Sequence, residues 1–292
     1  IQEAAGVEQI DVPHHVMVKL AETLRQHSFQ VCIKGLLTEN RFSVLDITGP
    51  QDTGLYAAAI DIGTTTVSAV LAEMTTGKIV AKGSSGNGQI RYGADVINRI
   101  IEQGKPGGRK KLQNAIVKET LVPILVNLCK AAGISAQSIL QLCVAANTTM
   151  NHLFVGVDAS PVRMEPYIPS FFSWNGLKAG DLKLPANPLA PVLIAPNIGS
   201  YVGGDITAGV FASLIWNKPE FSLFIDLGTN GEIAFGNQDF LVSCACSAGP
   251  AFEGGDISCG MRATDGAIEA CVIDKDTMDP TFHIVGEAGQ KP

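Results

Sequence analysis

Two short stretches carry residues whose types and spacing could do chemistry. In the first, residues 56–74 (YAAAIDIGTTTVSAVLAEM), an apolar run ends at Asp61, and Gly63, Thr64, Thr65 and Thr66 make a hydroxyl-rich turn. Such a turn offers backbone N–H groups and three hydroxyls to an anion, because glycine lets the backbone approach closely. An aspartate beside it repels a bare phosphate but suits one that carries Mg2+. The second stretch, residues 221–246 (FSLFIDLGTNGEIAFGNQDFLVSCAC), repeats the plan with Asp226, Gly228, Thr229 and Asn230. The two aspartates stand 165 positions apart (226 − 61), a length that fits one lobe of a duplicated fold. One such hairpin arises by chance. Two of the same design point to a polyphosphate gripped by two loops, with a metal held between Asp61 and Asp226.

Other candidates are placed by their neighbours. Asn147, Thr148 and Thr149 follow a buried strand expected over 139–145, and open α/β sheets place their ligands at such carboxyl ends. Thr148 or Thr149 is also the expected cap of a helix over 150–155. Asp205 opens a helix over 206–216 and reads as a cap or as a group near the metal. After the second hairpin, residues 247–256 (SAGPAFEGGD) are small enough for close backbone approach to a ligand, with Gly249 and Gly254 among them. Glu253 there reads as a helix-start acid or as a contact to a nucleotide ribose. The pair His14 and His15 has no nearby Cys, and adjacent histidines point apart on a strand, so exposed loop histidines are expected. Cys244, Cys246 and Cys259 lack the spacing of four-ligand zinc or iron–sulfur sites and read as structural thiols.

Composition bounds the classes. With 292 residues, 46% apolar and 17% charged, the chain can bury a sizeable core. Its net charge of −7 argues against nucleic acid as a partner, since a phosphate backbone demands a basic face. No apolar run approaches the roughly 18 residues that span a bilayer, and the opening IQEAAGVEQI has no signal-peptide pattern. Seven cysteines scattered through apolar segments fit a reduced, cytoplasmic setting. A start without methionine and an end at Gln290, Lys291 and Pro292 suggest a piece of a longer protein.

The elements that must position these residues form an α/β chain. Residues 1–55 read as part of a small linker or middle domain, with a helix over 16–24, a strand over 42–47 and a linker over 49–54. Residues 56–205 read as a first lobe, and 206–292 as an interlobe helix and the start of a second lobe. Within the first lobe, the hairpin returns over 79–82 and residues 84–93 look like a loop. A helix over 94–103 should bury Val96, Ile97, Ile100 and Ile101. A long helical stretch over 109–132 carries Leu112, Ile116, Leu121, Leu125 and Leu128 on one face. Pro123 should kink or split it, and Gly133 should close it. Residues 161–191 read as an irregular excursion, followed by a strand over 192–195.

The motifs DIGTTT and DLGTNG are similar to the two phosphate loops of the actin-like ATPase superfamily. IRYGADVINRI, ANTTMNHLFVG, SYVGGDITAGV, DLGTNGEIAF, CSAGPAFEGG and GMRATDGAIE, in this order, together resemble the reductive activators of corrinoid proteins. The resemblance covers residues 56–292 and implies duplicated actin-like (RNase H-like) ATPase lobes. It also implies an enzyme that uses ATP to reduce a Co(II) corrinoid protein to Co(I) for methyl transfer. In that picture Asp61 and Asp226 orient Mg2+ and its water, and Asp205 holds a metal-bound or attacking water. Gly63, Thr64, Thr65, Thr66, Asn147, Gly228, Thr229, Asn230, Gly249, Glu253 and Gly254 line the nucleotide. The implied partners are a corrinoid protein, a reductant such as ferredoxin and a second copy of the chain. Neither nucleic acid nor membrane is implied. The family's iron–sulfur cluster belongs to an N-terminal ferredoxin-like domain whose cysteine pattern is absent here. The glycine-rich adenosine loop is also not seen, and Ala146 stands where the family prefers glycine. Two other classes share the loops: a small-molecule kinase, and a nucleotide-switched binding module without redox chemistry.

Overall fold

A computed structural model describes residues 2–228, 230–247, 260–261 and 266–286. The chain divides into two units, Ile1–Ala208 and Gly209–Pro292.

The first unit opens with α1 (Gln2–Ala5), β1 (Gln9–Asp11), α2 (His14–Gln26), β2 (Cys32–Thr38) and β3 (Arg41–Thr48). These strands form a sheet in the order β1-β3-β2. Val16 of α2 packs on Val44 and Ile47 of β3, the apolar positions that the helical and strand periods bring together. His14 and His15 begin α2, a correction to the loop expected for them, and His15 Nε2 lies 3.2 Å from the Leu45 carbonyl oxygen.

A five-stranded sheet dominates the rest of the unit, in the order β6-β5-β4-β7-β8. Its strands are β4 (Tyr56–Ile62), β5 (Thr66–Glu73), β6 (Ile79–Gly86), β7 (Ile139–Ala146) and β8 (Val192–Ile194). The first three form an antiparallel meander, whereas β7 is parallel to β4 and β8 is parallel to β7. A parallel neighbour needs a crossover. Here it is built from α3 (Val96–Gln103), α4 (Gly108–Ile116) and α5 (Val122–Ala132). Between β7 and β8 come α6 (Thr148–Val155), α7 (Ser160–Arg163) and α8 (Ala179–Leu182). α9 (Gly204–Ser213) follows β8 and spans the boundary between the units.

The core lies between one face of this sheet and the crossover helices. Ile60 and Ile62 of β4, Leu71 of β5 and Val144 of β7 share it with Leu112, Ile116, Leu121, Leu125 and Leu128. The stretch over 109–132, expected to kink or split at Pro123, is two α-helices joined by a π-helical turn, Val117–Leu121. Pro123, in the first turn of α5, has no N–H and crowds the carbonyl four residues back, which favours a wider turn just before it. Thr120 Oγ1 donates to the Ala115 carbonyl oxygen at 2.8 Å. Gly133 closes α5 with φ 67°.

Two expectations in this region are corrected. Asp95 caps α3 through the Asn98 N–H, and the helix begun there turns Arg99, Ile100 and Gln103 inward. Ile101, expected inside, is 47% exposed, while Arg99 is fully buried. Residues 84–93 are not a plain loop. β6 continues to Gly86, and a 3-10 turn, Gly88–Tyr92, follows with Asn87 as its cap.

In the second unit, β9 (Ser222–Leu227), β10 (Asn230–Gly236) and β11 (Leu241–Ser247) form an antiparallel meander. β12 (Ile268–Ile273) and β13 (Pro280–Ile284) form a separate hairpin. The turn after Gly236 is tight: a Cβ on Gly236 would stand 2.1 Å from the Phe240 carbonyl oxygen, and Asn237 Oδ1 accepts from the Asp239 N–H. Cys244, Cys246 and Cys271 are exposed, and Cys259 lies outside the described residues. Among the described residues no helix is long and apolar enough to cross a membrane.

Candidate functional site

The first Asp-Gly-Thr loop joins β4 to β5 beside the carboxyl ends of two parallel strands. Asp61 stands within β4, opposite Ser68 of β5 and Ala145 of β7, and the strand runs on to Ile62, past the expected end. Strand alternation buries Ile60 and Ile62 in the core and turns Ala59 and Asp61 to the other face. That face holds a cavity of about 510 Å3, which Asp61 lines with Ser68, Val70, Cys143, Ala145 and Ala195. At the turn, a Cβ on Gly63 would stand 2.6 Å from the Thr66 carbonyl oxygen, so glycine is required for the tight reversal.

Three consecutive carbonyls of the turn are held from beneath. Asn87 Nδ2 donates to the Gly63 oxygen (2.8 Å), Arg99 Nη2 to the Thr64 oxygen (2.5 Å) and the Asn87 N–H to the Thr65 oxygen (2.7 Å). Asn87, Gln89 and Arg99 are each at most 1% exposed.

Asn147 meets the turn from β7. Its Oδ1 accepts from the Met150 N–H (2.9 Å) and its Nδ2 donates to Thr64 Oγ1 (3.2 Å). It is therefore the cap of α6, a correction to the expectation for Thr148 or Thr149. β7 runs on to Ala146, which leaves Asn147 as the first residue that is extended yet outside the strand. Thr148 Oγ1 instead donates to the Gly199 carbonyl oxygen (2.6 Å) and ties down the loop after β8. In that loop a Cβ on Gly203 would stand 2.4 Å from Asn147 Cα, and one on Gly204 would stand 2.3 Å from the Ala195 oxygen. Gly203 thus lets the start of α9 press against the start of α6, and Gly204 lets it press against the residue that follows β8. Asp205 lies inside the first turn of α9, not ahead of it, and its Oδ1 accepts from the Ile206 N–H (2.8 Å).

His152 supports α6 from below. Its ring stacks on Phe171 at 4.5 Å, its Nε2 accepts from the Ser170 N–H (3.1 Å), and its Nδ1 lies 2.7 Å from the Thr148 oxygen. With Nε2 accepting, the proton sits on Nδ1. Burial holds the imidazole below its ordinary pKa of 6.5, a shift that the Thr148 carbonyl only partly opposes.

In the second unit, Asp226 of β9 pairs across the ladder with Glu232 of β10, which is buried at 7% exposure. The Gly228 N–H donates to the Asn230 carbonyl oxygen (3.0 Å) and closes the turn. Thr229, Gly249, Glu253 and Gly254 lie outside the described residues.

The first unit thus gathers Gly63, Thr64 and Asn147 directly, with Asp61 one strand position before the turn and Asp205 on the helix packed against Asn147. Its donor set suits a phosphate with Mg2+, a hard cation that takes one or two carboxylates and completes its shell with water and phosphate oxygens. Helix starts at α6 and α9 add the positive ends of two macrodipoles. An iron–sulfur cluster does not fit the described residues, among which no three His, Cys, Asp or Glu side chains gather as a metal site. Sequence reasoning missed Asn87, Gln89, Arg99 and Glu232. The available signal was an arginine at an apolar phase of a helix, inside the IRYGADVINRI motif.

Comparisons with known proteins divide the chain near residue 219. Residues 56–218 match the family model for the RACo middle region, and residues 220–292 match the C-terminal domain of RACo, the ASKHA domain. The corrinoid activation enzyme RamQ of Eubacterium limosum is 37% identical over 255 residues, 86% of this chain and 42% of RamQ. The Co(II) methylated amine-specific corrinoid protein reductase of Methanosarcina barkeri is 39% identical over 77 residues, 26% of this chain and 14% of that protein. Among solved structures, a reductive activator for corrinoid, iron-sulfur protein aligns with TM-score 0.85 and 39% identity, over 96% of this chain and 45% of its own. The chain spans less than half the length of these relatives. With family matches across both units, and an α/β architecture shared with a solved relative, the chain belongs to the RACo family and carries its middle region and actin-like ASKHA fold.

Proposed function

We propose that this chain supplies the ATP-binding part of an enzyme that reduces a Co(II) corrinoid protein to the Co(I) state used for methyl transfer. The reading is carried by the match over 96% of the chain to a reductive activator for a corrinoid, iron-sulfur protein. The oxygen-rich turn at Gly63–Thr66, with Asp61 just before it, supports the nucleotide half of the reading.

Asp61 and Asp226, the aspartates of the repeated motif, would hold Mg2+ through water. Gly63, Thr64, Thr65, Thr66, Gly228, Thr229 and Asn230 bind phosphate oxygens through backbone N–H groups and hydroxyls, a positioning and charge-stabilising role. Asn147 fixes Thr64, and Asp205 holds a water. Gly249, Glu253 and Gly254 contact the nucleoside. An iron–sulfur group outside this chain would supply the electron, with a reductant such as ferredoxin behind it. One electron converts Co(II) to Co(I) on the partner. That couple lies at very low potential, so the transfer runs uphill, and ATP binding favours the docked complex in which it occurs.

The test is steady-state ATP hydrolysis by the full-length protein, alone and with its corrinoid protein as the Co(II) or the methylated form. Stimulation by the Co(II) form alone is expected. Equal rates with both forms overturn the reading. Asp226→Ala should abolish turnover with an unchanged circular dichroism spectrum, and an unchanged rate in that variant removes Asp226 from the site.

A further inference from the structure

The IRYGADVINRI segment has no role in the reading above, yet it supplies Arg99 beneath the first phosphate loop, with Asn87 and Gln89 just ahead of it. Arg99 is fully buried, and its guanidinium spends its donors locally. Nε donates to the Gly93 oxygen (2.9 Å), Nη1 to Gln89 Oε1 (3.2 Å) and to Met150 Sδ (3.1 Å), and Nη2 to the Thr64 oxygen. Asn87 belongs to the same network: its Oδ1 accepts from the Gln89 N–H (2.9 Å), while its Nδ2 and its N–H hold the oxygens of Gly63 and Thr65.

A trans peptide is planar, with its C=O and N–H pointing in opposite directions. Fixing the oxygens of Gly63, Thr64 and Thr65 on the buried side therefore turns the N–H groups of Thr64, Thr65 and Thr66 away from Arg99 and Asn87. A charged donor on the Thr64 oxygen also polarises that peptide and makes its N–H a better donor. A buried cation under the turn adds attraction for an anion above it, because low dielectric weakens screening.

We propose that Arg99 and Asn87 are the positioning residues of the first phosphate loop, setting its N–H groups toward a nucleoside triphosphate by anchoring three successive carbonyls. The proposal rests on the ATP reading of this site. It also explains why an arginine occupies a core position of α3, where packing alone asks for an aliphatic residue.

The test measures Mg-ATP affinity of the full-length protein by calorimetry, with thermal unfolding of each variant alongside. Arg99→Met keeps the length of the side chain and removes every donor. Arg99→Lys returns the charge and one donor direction. Asn87→Asp keeps the Oδ1 acceptor for Gln89 and removes the donor to Gly63. Expected are a loss of affinity of at least tenfold in Arg99→Met, a partial return in Arg99→Lys, and a loss of similar size in Asn87→Asp. Affinity equal to that of the native protein in folded Arg99→Lys and Asn87→Asp overturns the proposal, whatever the change in unfolding temperature. Failure of the native protein itself to bind Mg-ATP overturns the ATP reading first, which separates the two failures.

Discussion

Asn147 joins two duties in one side chain, because its oxygen caps α6 while its nitrogen holds Thr64 Oγ1. The two can be separated. Asn147→Asp keeps the cap acceptor and loses the donor, so its unfolding free energy should stay within about 0.5 kcal/mol of the native value. Its Mg-ATP affinity should still fall, since a carboxylate then faces the phosphates. Asn147→Ala loses both, and should also cost about 1 kcal/mol in denaturant unfolding. An equal loss of stability in both variants contradicts this division. The residue was legible as a ligand candidate from its place after a strand. Its capping role was not, because the choice among Asn147, Thr148 and Thr149 depended on where β7 stopped.

At the scale of elements, the site depends on how closely α9 approaches α6. Gly203 sets that distance, since a Cβ there would stand 2.4 Å from Asn147 Cα and 2.6 Å from the Thr148 nitrogen. Both are backbone atoms, so neither can swing aside. Gly203→Ala should destabilise the protein by about 1–3 kcal/mol, as an overpacked contact does. It should also weaken Mg-ATP binding by displacing Asn147, and equilibrium urea unfolding with calorimetry on the same sample checks both. The strands and helices themselves were largely readable. Periodicity located β4, β5 and β7 to within a few residues, and Pro123 announced the break before α5. The 3-10 turn after β6 was not readable, because its stability comes from the buried Asn87 cap and not from an apolar period.

At the scale of the molecule, stability should depend on pH through His152. Burial lowers the folded-state pKa below the ordinary 6.5, so the neutral ring is favoured in the fold. Below pH 6.5 the unfolded chain binds the proton that the folded chain resists. This contribution is therefore complete above pH 6.5 and is lost as pH falls toward the folded-state value. The slope approaches about 1.4 kcal/mol per pH unit for one proton. Unfolding free energies from pH 8 to pH 5 should fall more steeply for the native protein than for His152→Gln, and parallel curves contradict the assignment.

The sequence by itself determined the duplicated plan of strand, aspartate, glycine and threonine, the α/β class and the residues proposed to meet a phosphate. These signals are local, since each lies in a few consecutive residues or in a repeat of period two or 3.6. Only the tertiary structure decided which side chains support the first loop. Arg99 and Thr64 stand 35 positions apart, Asn87 and Gly63 stand 24 apart, and Asn147 and Thr64 stand 83 apart. No period in the chain encodes such pairings. They arise because the parallel crossover returns β7 beside β4 and packs α3 beneath the turn, where a buried carbonyl must find a donor.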